Sequence, residues 1–301
     1  MAILRNRGGS IRAGWRLALW FALTFALLAV ENLLVRALFP GAQPRAFLDP
    51  VRLILDDASA AIPVGMATLV MMLIERRSSP SRTWRDYYWP SARELVGRRM
   101  WSGLGWGFAA ISLNIGLIAA VGGYRVMGLA TTGALLAKFT VLWIVAAMVI
   151  GLVEEFFFRA YLLRTLADGM GFWPASVLNS LAFGALHYFQ KPYERWEDWA
   201  SVSLLGLFLC LTVRRTGTLA FAIGWHAAFD WGAMYLWSGR NAGEFALGRL
   251  LNTSWSGSYR LTGGMLGPEA SWMMAIVIAL LFAGFATLYR SRERHIADIR
   301  A

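Results

Sequence analysis

Residues 151–163 read GLVEEFFFRAYLL, which sets two adjacent carboxylates, Glu154 and Glu155, and the cation Arg159 inside one of the most apolar parts of the chain. Of the 301 residues 57% are hydrophobic, only 16% are charged and 15 are Trp, and the mean hydropathy is +0.50. That is too apolar for an ordinary soluble domain. The fold class that follows is an all-α integral membrane protein, in which the carboxylates need a polar intramembrane cavity.

Working outward, runs of roughly 17 to 25 apolar residues are long enough to cross about 30 Å of hydrocarbon. They predict about eight transmembrane helices, near 17–39, 52–75, 101–122, 138–166, 174–190, 196–213, 218–237 and 271–290. The first run is too long for a signal-peptide core and no A-x-A-like site follows it, so it reads as an uncleaved anchor. The net charge of +11 does not form a nucleic-acid-binding stripe, and no nucleic-acid partner is expected. Lys and Arg instead gather between the apolar runs: 19 of the 29 lie in 1–16, 76–99, 159–164, 214–215 and 290–301. The positive-inside rule then puts both termini in the cytoplasm, as an even number of spans requires.

The lone Cys210 excludes an intramolecular disulfide and a cysteine metal site. Residues 1–100 read as N-terminal membrane helices with a basic cytoplasmic segment, and 101–301 as the membrane core. The Arg-, Trp- and Tyr-bearing segment 76–99 suits the cytoplasmic interface, and the Gly- and Ser-rich segment 238–270 an external loop.

Ionisable side chains inside spans cost roughly 2.5 to 3.5 kcal/mol each at a helix centre, so they mark function or pairing. Asp56, Asp57, Glu31 and Lys138 lie near span ends, within reach of the interface, and His295 lies in a basic tail. Deeper are Glu154, Glu155 and Arg159 on the fourth span, His187 on the fifth, and His226 with Asp230 on the seventh. By helix rise, Glu154, His187, His226 and Asp230 fall at comparable depth, about 12 to 20 Å from the cytoplasmic ends of their spans. Glu155 and Arg159, four residues apart, share a face and can pair, while Glu154 points about 100° away and is left unpaired. A carboxylate with two imidazoles can activate water and stabilise an oxyanion, as peptide hydrolysis requires. No HExxH and no G-x-S-x-G is present.

EEFFFR at 154–159, FGALH at 183–187 and HAAFD at 226–230 resemble, in order and separation, the EExxxR, FxxxH and HxxxN/D motifs of the CPBP family of CAAX-protease and bacteriocin-processing intramembrane proteases. The motif region covers about 150–235. The resemblance implies Glu154 as water-activating base, His187 as its partner or a metal ligand, and His226 with Asp230 as oxyanion stabilisers or ligands. Glu155 and Arg159 would brace the site. His187, His226 and either Glu154 or Asp230 would be the ligand set for a Zn2+ ion, and Asp230, where prenyl-processing members carry Asn, suits a metal better than an oxyanion. The expected partners are membrane lipid and a membrane-anchored or lipidated peptide, and the expected location is a bacterial inner membrane. Two other classes share these residues: a proton-coupled transporter using them as a relay, for which no repeated halves are visible, and a catalytically silent immunity or assembly partner.

Overall fold

A computed structural model of the chain describes residues 11–40, 46–193 and 195–289. Most of the expected basic N-terminal stretch and the tail with His295 lie outside the described residues.

Helix α1 (Ala13–Leu38) is followed by α2 (Pro50–Arg76), whose start is fixed by Asp49 accepting from the Val51 amide at 2.8 Å and by Pro50 in the first turn. In the segment before the next span, Ser91 and Glu94 form a capping box on the single turn α3 (Ala92–Leu95). Then come α4 (Arg98–Ala120), strand β1 (Tyr124–Leu129) and α5 (Gly133–Glu155). A π-helical stretch, Phe156–Leu162, carries α5 without a break into α6 (Leu163–Met170). Gly171, at φ +85°, turns the chain into α7 (Phe172–Gln190). After α8 (Trp196–Thr216) and α9 (Ala220–Asp230), a second π-helical stretch, Trp231–Leu236, leads to β2 (Arg240–Asn241), β3 (Glu244–Phe245), β4 (Leu251–Trp255), α10 (Tyr259–Thr262) and α11 (Trp272–Leu288).

Every apolar run expected to span is helical, with ends displaced by only a few residues. Among the described residues five helices are long and apolar enough to cross a membrane: α1, α2, α4, the continuous Gly133–Met170 rod and α8; α11 is apolar but shorter. The protein is mostly helical rather than strictly all-α. Segment 238–270, expected as a plain loop, contributes β4, which pairs antiparallel with β1 from Tyr124↔Trp255 to Leu129↔Leu251, and the β2–β3 hairpin.

The tightest helix contact is between α4 and α9, and the sequence shows why. Gly103 and Gly107 repeat at a four-residue spacing, and a Cβ at either would collide with the Phe221 or Trp225 carbonyl of α9. On the other side α5 lays Gly151 against Ile223 and Ala227. Helix α9 is thereby gripped between α4 and α5, with Ala220 through Phe229 all buried.

At the end of the bundle where α2 finishes, the buried Glu75 carboxylate accepts from Arg16 at 2.9 Å, Tyr87 at 2.9 Å and Tyr161 at 2.6 Å, and also pairs with Arg82. Arg16 and Arg82 both reach on to Asp168. The network fastens α1, α2, the 77–97 connection and the long rod together.

Candidate active site

The two sequence-adjacent carboxylates part company because of where the helix changes. They are the last two residues of α5, and the π-helical stretch begins at Phe156. Such π segments recur at functional sites because the wider turn re-aims side chains. The second π stretch begins immediately after Asp230. Neither was legible as a break in the apolar pattern.

Glu155 turns inward and is fully buried. Its Oε1 accepts from Arg159 Nη1 at 2.8 Å and lies 2.9 Å from His226 Nδ1. A carboxylate paired to a guanidinium is an acceptor, so Nδ1 of His226 carries a proton and Nε2 is aimed into the cavity. That Nε2 faces Glu154 Oε2 at 3.7 Å and Asp230 Oδ2 at 3.6 Å.

His187 is oriented by a parallel device. Its Nδ1 lies 2.9 Å from the Phe183 carbonyl, which can only accept, so here too Nδ1 donates and Nε2 is left free, 3.9 Å from the same Glu154 Oε2. Phe183 serves as the platform beneath the site. Its ring lies tilted 4.6 Å from the His187 ring and edge-on 6.1 Å from that of His226, and the Arg159 guanidinium carbon sits 4.2 Å from its centroid.

Glu154 Oε2 is buried and has no hydrogen-bond partner among the described residues. It lies in the wall of a cavity of about 530 Å³ that also takes in His187, His226 and Asp230. All four residues expected to converge are therefore brought to one cavity, and Glu155 and Arg159 to the layer behind it.

The same cavity is lined by residues that sequence reasoning assigned elsewhere or passed over. Asp56 and Asp57, read as interfacial, face into it from α2, and Lys191 and Glu269 close its outer rim with Nζ and Oε1 3.8 Å apart. Burial pushes the Glu269 carboxyl up to about 7, Lys191 only partly offsetting it. Asp57 carried a usable signal, since it stands about two turns inside its span. Glu269 carried none, because a loop residue 39 positions from Asp230 gives no clue to its partner.

The arrangement offers a carboxylate oxygen and two imidazole nitrogens directed at one point, a second carboxylate beside them, and a brace that fixes one imidazole. No curated protein is significantly similar to the chain. Residues 136–232, which contain all seven motif residues, match the family described as type II CAAX prenyl endopeptidase Rce1-like. Over that segment the chain is similar to the CPBP, or CAAX-protease, family.

Proposed function

We propose that the protein is an intramembrane endopeptidase that crosses the membrane eight times, with both termini in the cytoplasm of a bacterial cell, and hydrolyses a peptide bond in a membrane-anchored or lipidated peptide. The observation that carries the reading is the convergence of His187 Nε2 and His226 Nε2 on the unpartnered Glu154 Oε2, at 3.9 and 3.7 Å. These separations are too long for direct hydrogen bonds and suit a group held between the three, such as water.

In this mechanism Glu154 takes a proton from the water as its oxygen attacks the scissile carbonyl, and later returns that proton to the departing amine. His187 Nε2 accepts from the water and orients it, His226 stabilises the developing oxyanion by donating from a protonated Nε2, and Glu155 with Arg159 keeps His226 in the orientation that aims Nε2 inward. Asp230 holds His226 from the cavity side. An aspartate cannot donate to an oxyanion unless protonated, so its chemistry suits a cation.

The donor set fits zinc. Metal-bound histidines characteristically donate their other ring N–H to a carboxylate or backbone carbonyl, as His226 does to Glu155 and His187 does to Phe183. His187, His226 and either Glu154 or Asp230 would hold the ion. As they stand, no three such groups among the described residues close on a metal-sized site; their gaps exceed the ~3.3 Å between donors on a tetrahedral zinc with bonds of about 2.0–2.1 Å. When bound, zinc supplies Lewis-acid polarisation of the carbonyl and a more acidic water.

The decisive experiment incubates detergent-purified protein with a peptide library, wild type beside Glu154→Gln, read by mass spectrometry. The wild type is expected to generate discrete new termini and the variant to lose them by roughly 10²-fold or more, the scale of a removed general base. Equal cleavage by both proteins overturns the assignment of Glu154.

A further inference from the structure

We infer that the site cavity opens only toward the external end of the bundle, so that its substrates are anchored peptides presented from the external leaflet; the substrate part of this inference rests on the endopeptidase reading above. The rim of the cavity is built by Phe47 and Arg52 before and at the start of α2, Gln190 and Lys191 at the end of α7, Asn241 in β2 and Glu269 before α11. Every one belongs to the end of the bundle where 39–49, 191–195 and 237–271 make the connections. No residue of 77–97, 163–171 or 214–219, at the other end, lines it.

Helix rise gives the same answer. His187 stands three residues, about 5 Å, from the last residue of α7 and about 22 Å from its first. Asp57 stands about 10 Å from the start of α2 and about 28 Å from its end.

The opposite end is plugged. Below Glu154 the rings of Phe157 and Tyr161 pack on Trp20 at 5.1 and 5.4 Å, and Tyr161 stacks on Tyr87 at 5.7 Å. Beneath them Glu75 gathers Arg16, Arg82, Tyr87 and Tyr161. A second cavity of about 600 Å³, at that charged cluster, shares no wall residue with the first.

Charge supplies the sidedness. With Arg159 set aside as part of the site, 12 of the described Lys and Arg belong to the plugged end and 9 to the open end. The positive-inside rule therefore places the plugged end in the cytoplasm and the open rim outside. A peptide confined to the cytoplasmic face has no path to Glu154 in this arrangement.

Accessibility labelling tests this without relying on activity. The chain's own Cys210 is fully buried, so the wild type serves as the blank. Gln190→Cys, at the exposed rim, and Ser78→Cys, exposed at the plugged end, are each expressed in spheroplasts of a bacterial host and treated with a membrane-impermeant maleimide. Gln190→Cys is expected to label at least several-fold more strongly than Ser78→Cys, and Ser78→Cys to reach the same level only after permeabilisation. Labelling of Ser78→Cys alone, or equal labelling of both in sealed spheroplasts, overturns the inference. A second arm fuses a peptide that the purified protein cleaves to a single-span anchor, on its outer or inner side; cleavage only on the outer side is expected, and cleavage of the inner fusion overturns the inference. If the labelling holds while Glu154→Gln matches wild type on peptides, the orientation stands and the endopeptidase reading alone falls.

Discussion

Glu155 and His226 are joined through a single carboxylate oxygen: Oε1 lies 2.9 Å from His226 Nδ1 and takes the Arg159 guanidinium at 2.8 Å. The ion pair is thus both a structural element inside the bundle and the support for an imidazole of the site. Its partners Glu155 and Arg159 have no solvent exposure at all.

That double connection predicts a specific phenotype for Glu155→Gln. Removing one charge of a fully buried pair leaves the other uncompensated, which costs about 3–5 kcal/mol. The variant is expected to melt well below wild type in detergent and to cleave poorly, whereas Glu154→Gln, which removes an oxygen with no hydrogen-bond partner among the described residues, melts at or above wild type. Unchanged melting of Glu155→Gln together with lost cleavage would show that the pair serves turnover alone.

The grip of α4 on α9 makes a second prediction, with its control two residues away on the same helix. A methyl at Gly107 collides with the Trp225 carbonyl, one residue before His226, while a methyl at Gly105 meets nothing within 4 Å. Gly107→Ala is expected to lose about 1–3 kcal/mol by overpacking and to lower cleavage by displacing His226. Gly105→Ala keeps both, and thermal melts with cleavage rates on the two proteins check the contrast.

The sequence made the helical passes and the motif residues legible for physical reasons. Apolar run length is dictated by bilayer thickness, and buried ionisable groups are rare enough to stand out against it. Phase separated Glu154 from Glu155, and the structure keeps that separation, with Glu155 on Arg159 and Glu154 in the cavity wall. Pairing of Glu155 to His226 was not legible, because a contact across 71 residues between two helices depends on the close approach of α5 and α9. The π stretches after Glu155 and Asp230 left no trace in apolar periodicity. Nor did the β1–β4 pairing, whose strands lie more than 120 residues apart and whose second strand sits in a region rich in Gly and Ser. Lys191 and Glu269 were missed for the same reason: a rim assembled from loops carries no period.

Glu269 gives the pH dependence its sign. Its carboxyl, lying before α11, is pushed up to about 7 by burial, above the ~4.3 of an unfolded Glu. The folded state therefore binds the proton more tightly than the unfolded state. Its stabilising contribution is present in full below about 4.3 and is lost as pH rises through about 7. Melting temperature in detergent is expected to fall from pH 5 to pH 8, and Glu269→Gln to flatten that slope. An equally steep slope in the variant assigns the dependence to other groups.

The last prediction concerns the ion, and ligand roles decide it. If zinc is held by His187, His226 and Asp230, Glu154 stays free as base, and metal content and catalysis respond to different substitutions. Purified protein is then expected to carry about one zinc per chain by elemental analysis. His187→Ala and His226→Ala lose the metal and the activity together, Asp230→Asn loses metal through its missing negative charge, and Glu154→Gln keeps the metal while losing cleavage. If Glu154 is instead the third ligand, it is poorly placed to be the base as well, and Glu154→Gln empties the site while Asp230→Asn stays loaded. Treatment with o-phenanthroline is expected to abolish cleavage, and added zinc to restore it. A preparation with no stoichiometric metal and full activity after chelation removes zinc from the mechanism and leaves water activation to Glu154, with His187 and His226 as its partners.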